Sequence, residues 1–327
     1  MGHLIGGTAR EIIFTSGATE ADNLAVLGVA GVYGSGGGHV VASNLEHEAV
    51  RGPLEEFERR GGRVTTVMAG SDGRVTAADI AAALQADTIL VTVMTAQNEI
   101  GTLQPVTEIG RICKQRGVLF HTDAAQAAGT LSLDVERDGV DLMSLSSHKI
   151  YGPKGVGALY VRRRDPRVTL GPLQFGGGQE RGLRPGTLNV PGIVAFGEAC
   201  RLAEEEMVEE AERLHGLRDR LWAALDGAMD GVYLNGSSKQ RLAGNLNVSF
   251  EGIRAHRLLG ALTVLAVSSS SACSSGETRP SVILEAIGVP TELARASLRI
   301  GLGRFTTTEE VDFAAARIIA VVRRLRG

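Results

Sequence analysis

Lysine is scarce in this 327-residue sequence: Lys114, Lys149, Lys154 and Lys239 stand among 34 basic residues, the rest of which are arginine. Any chemistry that needs an amine therefore has four candidates. Cysteine is sparser still, and Cys113, Cys200 and Cys273 lie far apart with no CxxC spacing, which argues against a disulfide framework or a local zinc site. A reducing compartment is expected. No apolar run approaches the roughly 18 to 20 residues of a membrane span, and the N-terminus lacks the basic stretch and apolar block of a signal peptide. The chain reads as cytoplasmic, with no membrane partner. Charge of one sign is missing too: 34 basic residues against 37 acidic ones leave a formal net charge of -3, so nothing draws the chain as a whole to nucleic acid.

What is present points to a globular enzyme-sized protein. Hydrophobic residues make up 43% of the chain, too many for disorder, and the length suits one large or two ordinary domains. The 43 glycines are nearly double the usual ~7% share without a collagen-like period, which suggests tight turns and close backbone approaches to a small ligand carrying phosphate.

From Glu11 to about Val161, short β-branched runs alternate with helical patterns, as in βαβ units. Strands are expected at Ile12 to Phe14, Val40 to Ala42, Val64 to Met68, Ile89 to Met94, Val118 to His121, Leu142 to Leu145 and Ala158 to Val161. Helices are expected at Glu20 to Val32, Leu54 to Arg60, Ala77 to Leu84 and Val106 to Arg116. The fold class is α/β: a large domain, residues 1–204, with a mostly parallel but mixed seven-stranded sheet flanked by helices, and a smaller α+β C-terminal domain, residues 205–327. Gly171 to Pro185 breaks the rhythm as a long loop, and loops of that length usually carry function. A long helix, Gly192 to Met229, follows, with its acidic stretch read as a solvated face. Beyond it a strand at Leu246 to Phe250, helices at His256 to Leu262 and Pro280 to Ile287, a strand at Leu298 to Leu302 and a helix from Glu309 to Leu325 are expected.

Four segments carry candidate chemistry. At Phe14 to Asp22 a strand ends in a glycine turn and a helix begins, with Thr19 and Asp22 spaced as a capping box. Its N–H groups would bind a phosphate, although such capped turns are common without one. At Ser146 to Gly155, Lys149 follows a strand that the sheet should bury, where an ammonium pairs or loses its charge and becomes a Schiff-base nucleophile; a surface loop lysine is the plainer alternative. Lys154 is second choice. At His121 to Gln126, Asp123 closes an apolar strand, where its carboxylate suits either a protonated pyridine nitrogen or a helix N-cap. Cys273, flanked by small polar residues, reads as an exposed thiol or as a cysteine tolerated in a serine-rich linker, whereas Cys113 and Cys200 read as core filler.

Taken together, these segments resemble the cysteine desulfurases of the NifS and IscS type, within the class V group of aminotransferase-fold enzymes that use pyridoxal 5'-phosphate (PLP). The phrases EIIFTSGATEADNLA, NLEHEAV, QNEIGT, HTDAAQAAG, DLMSLSSHKIYGPKGVGALYVRR, GGGQERGLRPGT, SSSSACSSG and SLRIGLGRFTT occur in the family's order over almost the whole chain. The short cysteine loop is similar to that of the first of the two desulfurase groups. The resemblance implies the PLP-dependent transferase fold of type I, with Lys149 carrying PLP as a Schiff base, Asp123 paired with the pyridine nitrogen and His47 stacked on the ring. It implies phosphate contacts from Ala18, Thr19, Ser146 and His148, with Thr187 reaching the cofactor of a neighbouring subunit in a homodimer. Gln126 would meet the phenolic oxygen, and Asn98 with Arg299 the α-carboxylate of L-cysteine. Lys149 would then move the Cα proton and the Cys273 thiolate would take the sulfur as a persulfide, leaving alanine. The sulfur would pass to an acceptor protein, an iron-sulfur scaffold or a sulfur carrier, or serve tRNA thiolation. No permanent metal site is implied, although Cys273 is able to ligate a nascent iron-sulfur cluster transiently.

Relatives usually begin with a further segment of several dozen residues and some end in a scaffold-binding tail, from which lower stability and impaired cofactor retention are expected here. Rival readings are a selenocysteine lyase or a small amino-acid aminotransferase, the latter having no use for Cys273, and a catalytically incomplete PLP-binding homologue.

Overall fold

The computed structural model describes residues 1–34, 37–253, 255–269 and 280–327; Cys273 and its serine-rich neighbours lie outside the described residues. The chain divides into two compact units, one of Met1–Met68, Val75–Gln97 and Gln104–Met207, the other of Ala69–Arg74, Asn98–Leu103 and Val208–Gly327.

The first unit is built on seven strands: β1 (Ile12–Thr15), β2 (His39–Ser43), β3 (Arg63–Val67), β4 (Thr88–Thr92), β5 (Leu119–Asp123), β6 (Leu142–Ser146) and β7 (Gly157–Val161). Their order is β1-β7-β6-β5-β4-β2-β3. Neighbours from β3 to β6 pair in parallel, whereas β7 runs antiparallel to both β6 and β1. The mixed, mostly parallel sheet expected from the alternating pattern is therefore present. β2, β6 and β7 are buried at every residue, which is why they read as unbroken apolar or small-residue runs instead of alternating ones.

Helix α1 (Ala18–Tyr33) is apolar on nearly every side, with Ala21, Leu24, Ala25, Val26, Leu27 and Val29 buried, as befits a helix packed into a core. It joins Ile13, Val40, Leu90, Leu142 and Leu159 in one apolar cluster. Helix α2 (Glu48–Arg59) starts six residues before the expected Leu54, because the sequence reading began it after Pro53. Proline removes one N–H from a helix interior, but the buried face of Ala49, Val50, Leu54 and Phe57 outweighs that loss here. Helices α3 (Ala77–Ala83) and α4 (Val106–Arg116) complete the crossovers.

Helix α5 (Val190–Ala228) is 39 residues long, and the division between the units falls within it. The second unit holds a four-stranded antiparallel sheet, β10-β11-β9-β8, from β8 (Val232–Leu234), β9 (Asn245–Phe250), β10 (Ser268–Ser269) and β11 (Ser297–Gly301). Helices α6 (Ala255–Ala261), α7 (Val282–Ala286), α8 (Thr291–Ala294) and α9 (Thr308–Arg326) accompany it. Its own apolar cluster includes Leu221, Val248, Phe250, Leu298 and Ile318. β8, β10 and α8 went unread because two to four residues are too short for a periodic signal. Among the described residues, no helix is long and apolar enough to cross a membrane.

Gly157 shows how tightly the turn after β1 is held. A Cβ there would stand 2.6 Å from Cα and C of Gly17 and from the Leu145 carbonyl oxygen, all of them backbone atoms. Gly157→Ala is expected to lower the free energy of unfolding by about 1–3 kcal/mol, as overpacking against unyielding backbone does, and urea titration measures the loss.

Candidate active site

The carboxyl ends of β1, β2, β4, β5 and β6 lie along one edge of the first unit's sheet, together with the start of β7. Register fixes the neighbours: Thr15 and Ser146 both face Gly157, and Asp123 faces Ser144. The Ala124 N–H donates to the Ser144 carbonyl (3.0 Å), which carries the pairing past the end of β5.

At the end of β1, Gly17 caps α1 without any side chain contributing. The capping box expected from Thr19 and Asp22 does not form. Asp22 is fully buried and points into the core, where its position on the inward face of α1 overrides the local spacing rule. Ala21 N–H bonds the Gly17 carbonyl, but among the described residues no acceptor takes the N–H of Ala18 or Thr19. Uncapped amides at the positive end of a 16-residue helix are what an anionic group requires.

His47 is the N-cap of α2, and its Nδ1 accepts the Ala49 N–H at 3.1 Å, so the ring proton resides on Nε2. Asp123 ends β5 with its carboxyl buried; Oδ1 accepts the Ala125 N–H at 2.8 Å, and no helix follows for it to cap. Burial holds the Asp123 pKa above the ordinary carboxylate value, and that N–H with the nearby His47 and Lys149 limits the rise. Asp123 is thus a buried acid with the Lys149 ammonium within electrostatic reach.

Beyond β6, Ser147–Lys149 forms one short 3-10 turn. Lys149 itself is exposed, so the expectation that the sheet buries it is corrected: burial stops at Ser147, and the chain turns outward over the next two residues. Its case as the reactive amine rests on position beside Asp123. Ser146 Oγ and His148 Nδ1 are 3.0 Å apart, and burial with the charges of Lys149 and Lys154 keeps the His148 pKa low. Gln126 is half-buried, with its carbonyl bonded to Thr130, and Thr187 is exposed just before α5. Lys114 and Lys239 are exposed, and Cys113 and Cys200 are buried free thiols, pushed up to about 12 and about 11 by burial. In the second unit, Arg299 Nη1 donates to the Asn98 carbonyl at 3.2 Å, so the two residues read for a carboxylate share one place.

The Gly171 to Pro185 loop contributes a clamp that the sequence did not disclose. Arg184 Nε bonds Glu20 Oε1 in the first turn of α1 (2.8 Å), and Glu20 Oε2 accepts the Ser16 N–H (2.8 Å). Glu180 Oε2 accepts the Phe14 N–H (2.9 Å) and Arg181 donates to the Ile12 carbonyl (3.1 Å), so side chains satisfy the outer edge of β1. Glu180 and Arg181 adopt left-handed φ values of 48° and 60° to make that reach. Their place within a glycine-rich run gave no sign of it.

The class-V aminotransferase family matches residues 1–313 of this sequence. The chain belongs to that family. A cysteine desulfurase IscS of Anaeromyxobacter sp. is 53% identical over 99% of this chain and 80% of its own length. Among solved structures, a NifS-like protein superposes with a TM-score of 0.90 at 35% identity, covering 99% of this chain and 85% of the other. DndA from Streptomyces lividans gives 0.82 at 38% identity, covering 92% and 85%. The desulfurase resemblance read from the motifs is borne out, as is the transferase fold.

Enzymes of this family use PLP, and the residues at the sheet edge fit that group: uncapped α1 amides with Ser146 and His148 suit a phosphate, Asp123 a pyridinium, and Lys149 an aldehyde.

Removal of the clamp tests how far the loop supports this edge. Arg184→Ala is expected to cost about 1–2 kcal/mol near neutral pH, because it leaves a half-buried carboxylate without its charged donor. Burial raises the Glu20 pKa, but bonds to Arg184 and Ser16 more than offset it and hold it below 4.5. The wild-type advantage is therefore present above the unfolded value near 4.5 and lost as pH falls through the folded one. Chemical denaturation of both proteins across that range reads the loss.

Proposed function

We propose that this chain is a PLP-dependent cysteine desulfurase, converting L-cysteine to L-alanine and passing the sulfur through a persulfide on Cys273 to an acceptor protein. The supporting observation is the convergence of Lys149, Asp123, His47 and the uncapped α1 amides on one sheet edge, in a chain about half identical to a protein named cysteine desulfurase IscS.

Each residue has a physical task. Ala18 and Thr19 amides, with Ser146 and His148, anchor the phosphate. Asp123 holds the protonated ring nitrogen, His47 covers the ring face, and Gln126 meets the phenolic oxygen. PLP, when bound, supplies an electron sink that acidifies the substrate Cα–H. Asn98 and Arg299 fix the substrate carboxylate, a role for which a planar guanidinium is suited. The Lys149 amine moves the Cα proton. The Cys273 thiolate then donates an electron pair to the substrate sulfur, forming the S–S bond while the C–S bond breaks and its pair stays on carbon, which takes a proton to yield alanine. No external oxidant or reductant is needed.

Cys113 and Cys200 cannot replace Cys273 in that step, since burial keeps both as thiols at neutral pH. The working form is read as a homodimer in which Thr187 completes the neighbour's cofactor site. The acceptor is read as an iron-sulfur scaffold or sulfur carrier, and the location as the cytoplasm.

Lys149→Ala and Cys273→Ala are each expected to reduce alanine release from L-cysteine by about two orders of magnitude or more, with thiol reductant present. Asp123→Asn should fall by a comparable factor while the protein remains folded. Full turnover by Lys149→Ala would remove the amine from the chemistry. Full alanine release by Cys273→Ala would favour a lyase that frees its product without a protein persulfide.

A further inference from the structure

Beneath Asp123 lie two more acids that the chemistry above does not use. Asp22 and Glu46 are both essentially inaccessible to solvent. Glu46 Oε1 accepts the Ser43 hydroxyl at 2.5 Å and the Met94 N–H at 3.0 Å, while Oε2 is buried with no hydrogen-bond partner among the described residues. Met94 is adjacent to Thr95, whose N–H donates to the Asp123 carbonyl at 2.9 Å. Among the described residues neither oxygen of Asp22 is hydrogen-bonded; His121 Nε2 lies 3.5 Å from Oδ1, and the Ser144 hydroxyl is also within electrostatic reach. His121 stands two residues before Asp123 on the same face of β5, bracketed by Thr92 Oγ1 at 2.8 Å and Ser144 Oγ at 3.0 Å.

Among the described residues no cation is paired with either acid. The basic group against Asp22 is His121, and complete burial pushes its pKa down to about 3, so the imidazole is neutral. The cation of this edge, the Lys149 ammonium, acts on Asp123. An isolated carboxylate in a dry interior costs far more than a neutral acid, so each side chain retains its proton. Burial raises Glu46 to about 8, and burial with the Asp123 charge raises Asp22 well above the ordinary range.

We propose that Asp22, Glu46 and His121 form an uncharged polar floor beneath the cofactor site, positioning residues that leave Asp123 as its carboxylate and so determine how firmly it holds a cationic ring nitrogen. Two ionised neighbours would oppose ionisation of Asp123 and force it to share a proton; two neutral ones let it ionise against Lys149. Among the described residues no three such side chains converge as metal ligands do, so a metal does not explain the cluster. The inference rests on Asp123 being the partner of the PLP nitrogen.

Two arms test it on the full chain. The first needs no cofactor: melting temperatures of wild type and Glu46→Gln are compared from pH 5 to pH 8. A folded pKa above the unfolded one makes the folded state hold a proton that the unfolded state has released, so wild-type stability drains away as pH rises from about 4.5 to about 8. Glu46→Gln lacks that titration, and its melting temperature should gain steadily on wild type over the range. A constant or shrinking difference means that Glu46 is charged in the folded protein and overturns the proposal. The second arm titrates PLP into cofactor-depleted wild type, Asp22→Asn and Glu46→Gln. Both variants mimic the neutral acid, so affinity within about threefold of wild type is expected, and a larger loss overturns the proposal. If wild type itself fails to take up PLP, the cofactor reading falls, and the melting arm still decides whether the floor is neutral.

Discussion

Asp123 carries a carboxyl group that burial alone would keep protonated, and much of the first unit acts to make its ionised form tolerable. The Ala125 N–H approaches one oxygen, and His47 with the Lys149 charge offsets part of the cost of the dry surroundings. Those helpers come from three different strand ends, and only the parallel arrangement of β2, β5 and β6 brings them to the same edge. Parallel strands deliver their carboxyl ends to one side, and the antiparallel β7 meets that side with a glycine because nothing larger fits against Gly17. Topology and electrostatics are therefore one constraint here: an acid that must ionise inside a sheet needs neighbours that converge.

The anion-binding end of α1 follows the same logic with the sign reversed. A side-chain cap at Gly17 would have stabilised the helix locally, by about 1 kcal/mol for a typical cap. Its absence leaves Ala18 and Thr19 amides open, and the helix is kept in place by its buried apolar residues and by the Arg184–Glu20 pair instead. Stability from packing thus substitutes for stability from capping, freeing the helix terminus for a ligand.

Much of this was legible in the sequence because strand ends announce themselves. Asp123 and the Ser146 to Lys149 turn each follow an apolar run of strand length, and a titratable residue there needs a reason. The sheet was legible too, since fully buried parallel strands leave continuous apolar stretches. Four things were hidden, for distinct reasons. Asp22 satisfied a capping rule by spacing, yet spacing along a helix does not reveal which face is buried. Lys149 was read as buried because its strand is, but exposure changes within two residues of a strand end. Glu46 sat in plain view beside His47, and only the burial of both carboxyl oxygens without a cation marks it out. The Glu180 and Arg181 reach depends on positive backbone angles that a sequence does not display.

β1 is the outermost strand on its side of the sheet, and its free edge is covered by two side chains from the glycine-rich loop rather than by another strand. Bare strand edges are templates on which chains add to one another. A loop that bears on the reacting edge thereby also guards the protein against self-recruitment into extended sheets.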